Sequence, residues 1–188
     1  MSAPPDVPDV VERAFAVSRR RGFVSFCRNE TGRLLAALAA SRTGTMAEFG
    51  TGTGVGTAWL RSGLREGTKI VTAELDPKLA GAAAEIFSDD PAVEVLAADW
   101  SKLGVLGPFS LLFLDAREPK DSGPDAVAEL VEPGGMVVLD DFTPCASWPP
   151  VYGGRVDSLR EHWLVDERFT TVEVMVAQDT AVLIATRR

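Results

Sequence analysis

From Thr45 to the carboxyl terminus, short apolar runs alternate with segments of helical period, and that alternation admits few folds. Strands are expected at 45–49, Lys69–Glu74, Val93–Ala97, Ser110–Asp115 and Gly135–Leu139. Helices are expected from about 54, from Pro77 to about Phe87, from about Gly123 to Val131, and from about Val156 to Leu164. Continuous stretches such as Leu111-Leu112-Phe113-Leu114 and Met136-Val137-Val138-Leu139 suit strands buried on both faces, hence a mostly parallel sheet with helices on either side. The tail breaks the rhythm. Phe169–Val176 and Ala181–Thr186 are separated only by Ala177-Gln178-Asp179-Thr180, so they must form an antiparallel hairpin.

Residues 1–44 read as a helical appendage to a domain spanning 45–188, the whole forming one compact unit. Its first helix carries Val7, Val10, Val11, Ala14 and Phe15 on one face and ends near Gly22; its second begins after Asn29, buries Leu34, Leu35 and Leu38, and stops by Gly44. Such an appendage can cover a ligand, meet a partner subunit in a homodimer, or simply pack.

Between the first strand and the next helix lies Glu48-Phe49-Gly50-Thr51-Gly52-Thr53-Gly54-Val55-Gly56. Closely spaced glycines let the backbone take positive φ and leave no side chain in a ligand's way, while free N–H groups at the helix start face the opening. A nucleotide-like cofactor is the expected occupant. A dinucleotide fingerprint would need a third glycine where Val55 or Thr57 stands, and no Gly-Lys-Ser or Gly-Lys-Thr marks a phosphate loop. Glu48 would repel phosphates but attract an ammonium, and S-adenosylmethionine carries an ammonium, a sulfonium and no phosphate.

With that acidic residue followed by G-x-G-x-G, the chain resembles the class I S-adenosylmethionine-dependent methyltransferases, whose Rossmann-like sheet ends in an antiparallel hairpin. The resemblance implies that Gly50, Thr51, Gly52 and Gly54 cradle the cofactor. It also assigns Glu74, at the end of the second strand, to the ribose hydroxyls. Asp99 and Trp100, after the third strand, fall where the family meets the adenine, and Asp99 reads equally well as the cap of a following turn.

Asp115 and the pair Asp140-Asp141 end the fourth and fifth strands, so three carboxylates are expected at one rim of the pocket. Gathered carboxylates raise one another's pKa unless a cation compensates, and a hard cation such as Mg²⁺ takes oxygen ligands. The pattern resembles the cation-dependent catechol and caffeoyl-coenzyme A O-methyltransferases. Asp115 and Asp140 match that branch's two aspartates, and Asp141 replaces its asparagine. Where the catechol enzymes carry a lysine three residues after the first aspartate this chain has Glu118, with Lys120 nearby but out of register. Asp115, Asp140 and Asp141 are thus candidates both for metal ligation and for taking the proton of a hydroxyl acceptor. Trp148 and Tyr152, in the proline-rich loop after the fifth strand, suit a flat small-molecule substrate or anchor that loop.

The expected activity is methyl transfer from S-adenosylmethionine to a small-molecule hydroxyl. Two alternatives are a nicotinamide-dependent oxidoreductase, disfavoured by the glycine register and by Val156 standing where a Tyr152-x-x-x-Lys pair needs its lysine, and a non-catalytic S-adenosylmethionine-binding protein. With 19 basic and 27 acidic residues the net charge is −8, the wrong sign for a nucleic-acid partner. Cys27 and Cys145 form no framework and sit in no C-x-x-C pair, which suits a reduced cytoplasmic setting; the lone His162 lies in an amphipathic helix and reads as structural. The proline-rich start lacks the marks of a signal peptide, and the apolar run Leu34–Ala40 is too short to span a membrane.

Overall fold

The computed structural model describes residues 6–188; the proline-rich start therefore lies almost wholly outside the described residues. Seven strands form one sheet: β1 (Thr45–Phe49), β2 (Lys69–Glu74), β3 (Val93–Ala97), β4 (Phe109–Leu114), β5 (Val131–Phe142), β8 (Phe169–Met175) and β9 (Ala181–Arg187). Their spatial order is β3-β2-β1-β4-β5-β9-β8, with β1 to β5 parallel and β9 antiparallel to both its neighbours. The fold is the Rossmann-like one expected from the alternation. Order reverses between β1 and β4, which opens a crevice beyond their carboxyl ends.

Alternating residues of each strand feed two separate cores. Met46, Leu111, Phe113 and Val138 pack under α1 (Asp9–Arg21), α2 (Asn29–Ala40) and α3 (Val55–Gly63), meeting Val11, Leu35, Trp59 and Leu60. Ala47, Phe49, Leu112, Leu114, Val137 and Leu139 face the opposite side, against Leu103, Val127, Trp163 and Phe169. The amino-terminal helices are thus part of the covering layer. At the crossing of α2 and α3 the helices touch through missing side chains: a Cβ on Gly32 would overlap the Trp59 indole, and one on Gly63 would overlap the Ala36 carbonyl. Gly63→Ala is expected to destabilise the fold by about 1–3 kcal/mol, since backbone cannot step aside, lowering Tm by roughly 2–12 °C in thermal denaturation.

Several boundaries differ from the sequence reading. The helix expected from Gly123 to Val131 is shorter, α6 (Gly123–Val127) passing into a 3-10 turn before β5 begins at Val131; an additional short helix, α5 (Arg117–Asp121), precedes it, kept separate because Gly123 takes a φ of 71° and Pro124 opens a new helix. β5 starts at Val131 and continues to Phe142, four residues earlier and three later than the run Gly135–Leu139. Helix α4 (Pro77–Ile86) is capped by Asp76, and α7 (Ser158–Val165) by Asp157, each side chain accepting a backbone N–H. The proline-rich loop carries a small hairpin, β6 (Val151–Tyr152) and β7 (Arg155–Val156), turned by Gly153 and Gly154 at positive φ. Among the described residues no helix is long and apolar enough to cross a membrane.

Candidate active site

The glycine turn leaves β1 at Gly50 and enters α3 through Gly54, with φ of 103°, 54° and 89° at Gly50, Gly52 and Gly54. At Gly50 the turn presses against the start of the loop after β4: a Cβ there would stand 2.7 Å from the Ala116 nitrogen, while Asp115 and Ala116 both donate to the Phe49 carbonyl. Thr51 is buried and shares a 2.6 Å hydrogen bond with Thr72. From outside, the Phe23 ring lies 3.0 Å from where a Gly52 Cβ would be, and Ser18 and Thr53 hydroxyls meet at 2.6 Å. The end of α1 and the α1–α2 connection therefore pack against the turn.

Glu74 stands at the crevice. One carboxylate oxygen accepts from the Gly52 N–H at 2.8 Å and the other from the Asp76 N–H at 2.9 Å, which leaves each oxygen a further lone pair. It lines a cavity of about 190 Å³ whose walls include Gly50, Ala98, Asp99, Trp100, Ala116, Glu118 and Pro119. Trp100 packs on Phe49 with ring centroids 5.2 Å apart, and Asp99 caps the 3-10 turn by accepting from Ser101 N–H; the Ser101 hydroxyl first and this N–H second hold its carboxyl below the usual range. Larger surface depressions lie elsewhere, one of about 560 Å³ walled by residues from Ala84 to Val95 at the amino end of β3, away from the strand ends that bind ligands in such sheets. A pocket edged by Glu74 and Asp99 suits a nucleoside without phosphates. S-adenosylmethionine meets that condition.

Glu48 does not face this pocket. The side chain shares a sheet face with Met46, so it points beneath α3 and is fully buried. Thr57 and Thr72 hydroxyls donate to one oxygen, the other has no hydrogen-bond partner, and a Cβ on Gly56 would collide with it. Burial pushes its carboxyl up to about 8 against the pull of the two threonines. An ammonium contact at this position is therefore corrected to a buried support under the glycine turn.

The three aspartates are also arranged differently from the expected common rim. Pairing between β5 and β9 breaks after Leu139 and resumes at Phe142, and Asp141 in this bulge takes a φ of 71°. The bulge turns Asp140 inward, buried, where it accepts from Thr31 at 3.1 Å and from the Asp141 N–H at 2.8 Å. Asp141 turns outward. Burial raises the Asp140 carboxyl, and burial pushes Asp115 up to about 7 despite Lys120 and with the help of Asp140 and Asp141. Cys27, buried nearby, has a thiol raised well above its ordinary value, by burial first and by these carboxylates second.

Lys120, set aside in the sequence as out of register, belongs to the cluster. Its ammonium, on α5, lies 3.0 Å from Asp141 and 4.0 Å from Asp115, with its side chain 10% exposed. Among the described residues no three histidine, cysteine or acidic side chains are gathered to hold a metal ion. Asp115, Asp140 and Asp141 do not fit a Mg²⁺ site as they stand, because the bulge separates two of them and an ammonium sits between the other pair. Trp148 and Tyr152 are each 65% exposed, Trp148 just before the short hairpin and Tyr152 in its first strand. That loop is tethered by Arg160, itself buried, through Thr143 O at 2.7 Å, Glu173 at 3.1 Å and Asp157 at 3.2 Å.

Strand order, bare glycine turn and strand-end carboxylate together define the class I methyltransferase fold. No protein-family model matches the chain. A protein of Mycobacteroides abscessus named as an O-methyltransferase is 33% identical over 184 aligned positions, covering 83% of this chain and 78% of the relative. A protein of Mycobacterium tuberculosis named as an O-methyltransferase is 35% identical over 126 positions, and there the match covers only 52% of the relative. Among solved structures, the Bacillus cereus O-methyltransferase in complex with S-adenosylhomocysteine superposes with a TM-score of 0.76 at 20% identity, covering 98% of this chain and 93% of that one. TomG of Streptomyces achromogenes, in complex with S-adenosylmethionine, gives 0.76 at 21% identity, covering 97% and 92%. The chain belongs to the O-methyltransferase family. Membership sets aside the nicotinamide oxidoreductase.

Proposed function

We propose that the chain transfers the methyl group of S-adenosylmethionine to a hydroxyl oxygen of a small molecule. The observation that carries this reading is Glu74: a carboxylate with lone pairs to spare, held by the glycine turn itself, at the mouth of a cavity edged by carboxylates. When bound, the cofactor supplies a methyl group on a sulfonium whose departure leaves a neutral thioether. Glu74 receives the ribose hydroxyls, the backbone of Gly50 forms the cavity wall beside it, and Trp100 with Asp99 bounds the adenine side. Phe23, over the turn, excludes water from it.

Asp115 is assigned as proton acceptor. It is mostly buried, adjoins the crevice, and changes charge near neutrality, the condition for efficient proton transfer at physiological pH. Asp140, held by Thr31 and by the bulge, supports this rim from inside. The exposed rings of Trp148 and Tyr152 offer flat surfaces to an aromatic acceptor. With Asp115 as base, the methyl-transfer rate is expected to rise with pH through about 7 and level off above it. A profile flat from pH 6 to 9 removes Asp115 from that role.

The test of the whole reading is calorimetric titration with S-adenosylmethionine, S-adenosylhomocysteine and NAD, followed by transfer of labelled methyl to a panel of phenols and catechols. Binding of the first two and label in a phenolic ether are expected. Binding of NAD alone overturns the assignment, and cofactor binding without transfer to any acceptor restores the non-catalytic alternative.

A further inference from the structure

We propose that this methyltransferase works without a divalent cation, with the Lys120 ammonium standing in the metal's place and an acceptor that needs one hydroxyl rather than a chelating pair. The inference rests on the methyl-transfer reading above. It starts from a disagreement between the carboxylates and the metal site that their sequence positions suggest.

A cation bridging Asp115 and the Asp140-Asp141 pair would need their oxygens turned toward one point. The β5 bulge prevents this: Asp140 spends one oxygen on Thr31 and the Asp141 N–H, and Asp141 is rotated outward at positive φ. Lys120 then supplies the missing positive charge, 3.0 Å from Asp141 and 4.0 Å from Asp115. Burying an ammonium is costly unless carboxylates surround it, and here they do; burying Asp115 and Asp140 without it would be costlier still. The lysine arrives because α5 is a separate short helix, Arg117–Asp121, which brings a residue five positions after Asp115 back over it. A lysine three positions after Asp115 would be a different geometry, and Glu118 occupies that place, on the wall of the nucleoside cavity.

An ammonium and a metal ion do different work. Mg²⁺ can hold two vicinal oxygens at once, whereas an ammonium is a compact charge with three donors, one already directed to Asp141. It can donate to a single acceptor oxygen and stabilise the negative charge that gathers there as the proton leaves. In the transfer, a lone pair of that oxygen forms the O–C bond, the S–C pair returns to sulfur, and the hydroxyl proton passes to Asp115. No chelating neighbour is required of the substrate, so a phenol with an isolated hydroxyl is as competent as a catechol.

Three measurements on the full chain test this. After dialysis against EDTA, Mn²⁺ titration followed by electron paramagnetic resonance is expected to show no site tighter than about 1 mM, the range of the weakest protein sites for hard cations. Methyl transfer to a monohydroxylated phenol is expected to change less than about twofold between EDTA and added Mg²⁺. Lys120→Met is expected to lower kcat about a hundredfold, the usual effect of removing one donor to a developing oxyanion, with S-adenosylmethionine affinity within about threefold and partial recovery in Lys120→Arg. A stoichiometric Mn²⁺ site, or a rate lost in EDTA and restored by Mg²⁺, overturns the proposal. Should no acceptor be methylated at all, the Proposed function fails, while the Mn²⁺ titration still decides the question of the cation. If Lys120→Met does not fold, the EDTA and Mn²⁺ arms stand unaltered.

Discussion

Replacing Glu74 by alanine is expected to weaken S-adenosylmethionine binding ten- to a hundredfold in a calorimetric titration. Hydrogen bonds to a charged acceptor contribute about 1.5–3 kcal/mol each, and every 1.4 kcal/mol is a factor of ten in affinity. Two losses coincide at this position. The ribose hydroxyls lose their acceptor, and the Gly52 and Asp76 N–H groups lose the carboxylate that holds the glycine turn against β2. Glu74→Gln separates them, since one amide oxygen can keep the Gly52 bond while the charge is gone; its affinity should fall between the two. Asp99→Ala provides the contrast, because that carboxylate is already engaged by Ser101 and its loss should cost less. An alanine variant at Glu74 that folds and still binds within threefold of the parent would remove the carboxylate from the site.

The second large effect concerns stability. Glu48 has an ordinary carboxyl value of 4.5 when the chain is unfolded and one pushed up to about 8 by burial when it is folded. Between those values the folded state keeps a proton that the unfolded state has released, so the slope of unfolding free energy with pH is negative. The stability that Glu48 contributes is complete below about pH 4.5 and is lost as pH rises through about 8. Glu48→Gln retains an oxygen for the Thr57 and Thr72 hydroxyls and cannot ionise. The variant is expected to melt roughly 5–10 °C above the parent at pH 8.5, a gain of a few kcal/mol, and close to the parent near pH 5. Asp115, pushed up to about 7 by its own burial, adds a slope of the same sign, so the variant's dependence is shallower without being flat. Because Glu48 lies under α3, its S-adenosylmethionine affinity should move far less than that of Glu74→Ala. Equal melting temperatures for parent and variant at pH 8.5 would mean that the buried oxygen finds compensation.

What could be read from residues in order was whatever depends on local period and local backbone freedom. Seven sheet strands, the antiparallel tail and the glycine turn follow from apolar runs and from glycines at positions that require positive φ. Glu74 was legible for the same reason: a residue ending β2 can only emerge at the crevice when the sheet is parallel and β1 lies beside it. The Gly153-Gly154 hairpin carries its own local sign, a glycine pair between extended residues.

Where side chains ended up was another matter, because orientation across a strand depends on parity and bulges that no run of apolar letters records. Glu48 lies within β1, one residue short of its end, and the period of two sends it under α3, whereas Glu74 is the last residue of β2. A single break in the β5–β9 ladder parts Asp140 from Asp141, and a five-residue helix carries Lys120 to the gap between Asp115 and Asp141. Residue types and spacing sufficed for the architecture and for placing Glu74 at the strand-end crevice, since both rest on backbone geometry. That Lys120 lies beside Asp115 and Asp141 was decided by packing alone: charges distant in the chain are neutralised by whatever the fold sets beside them.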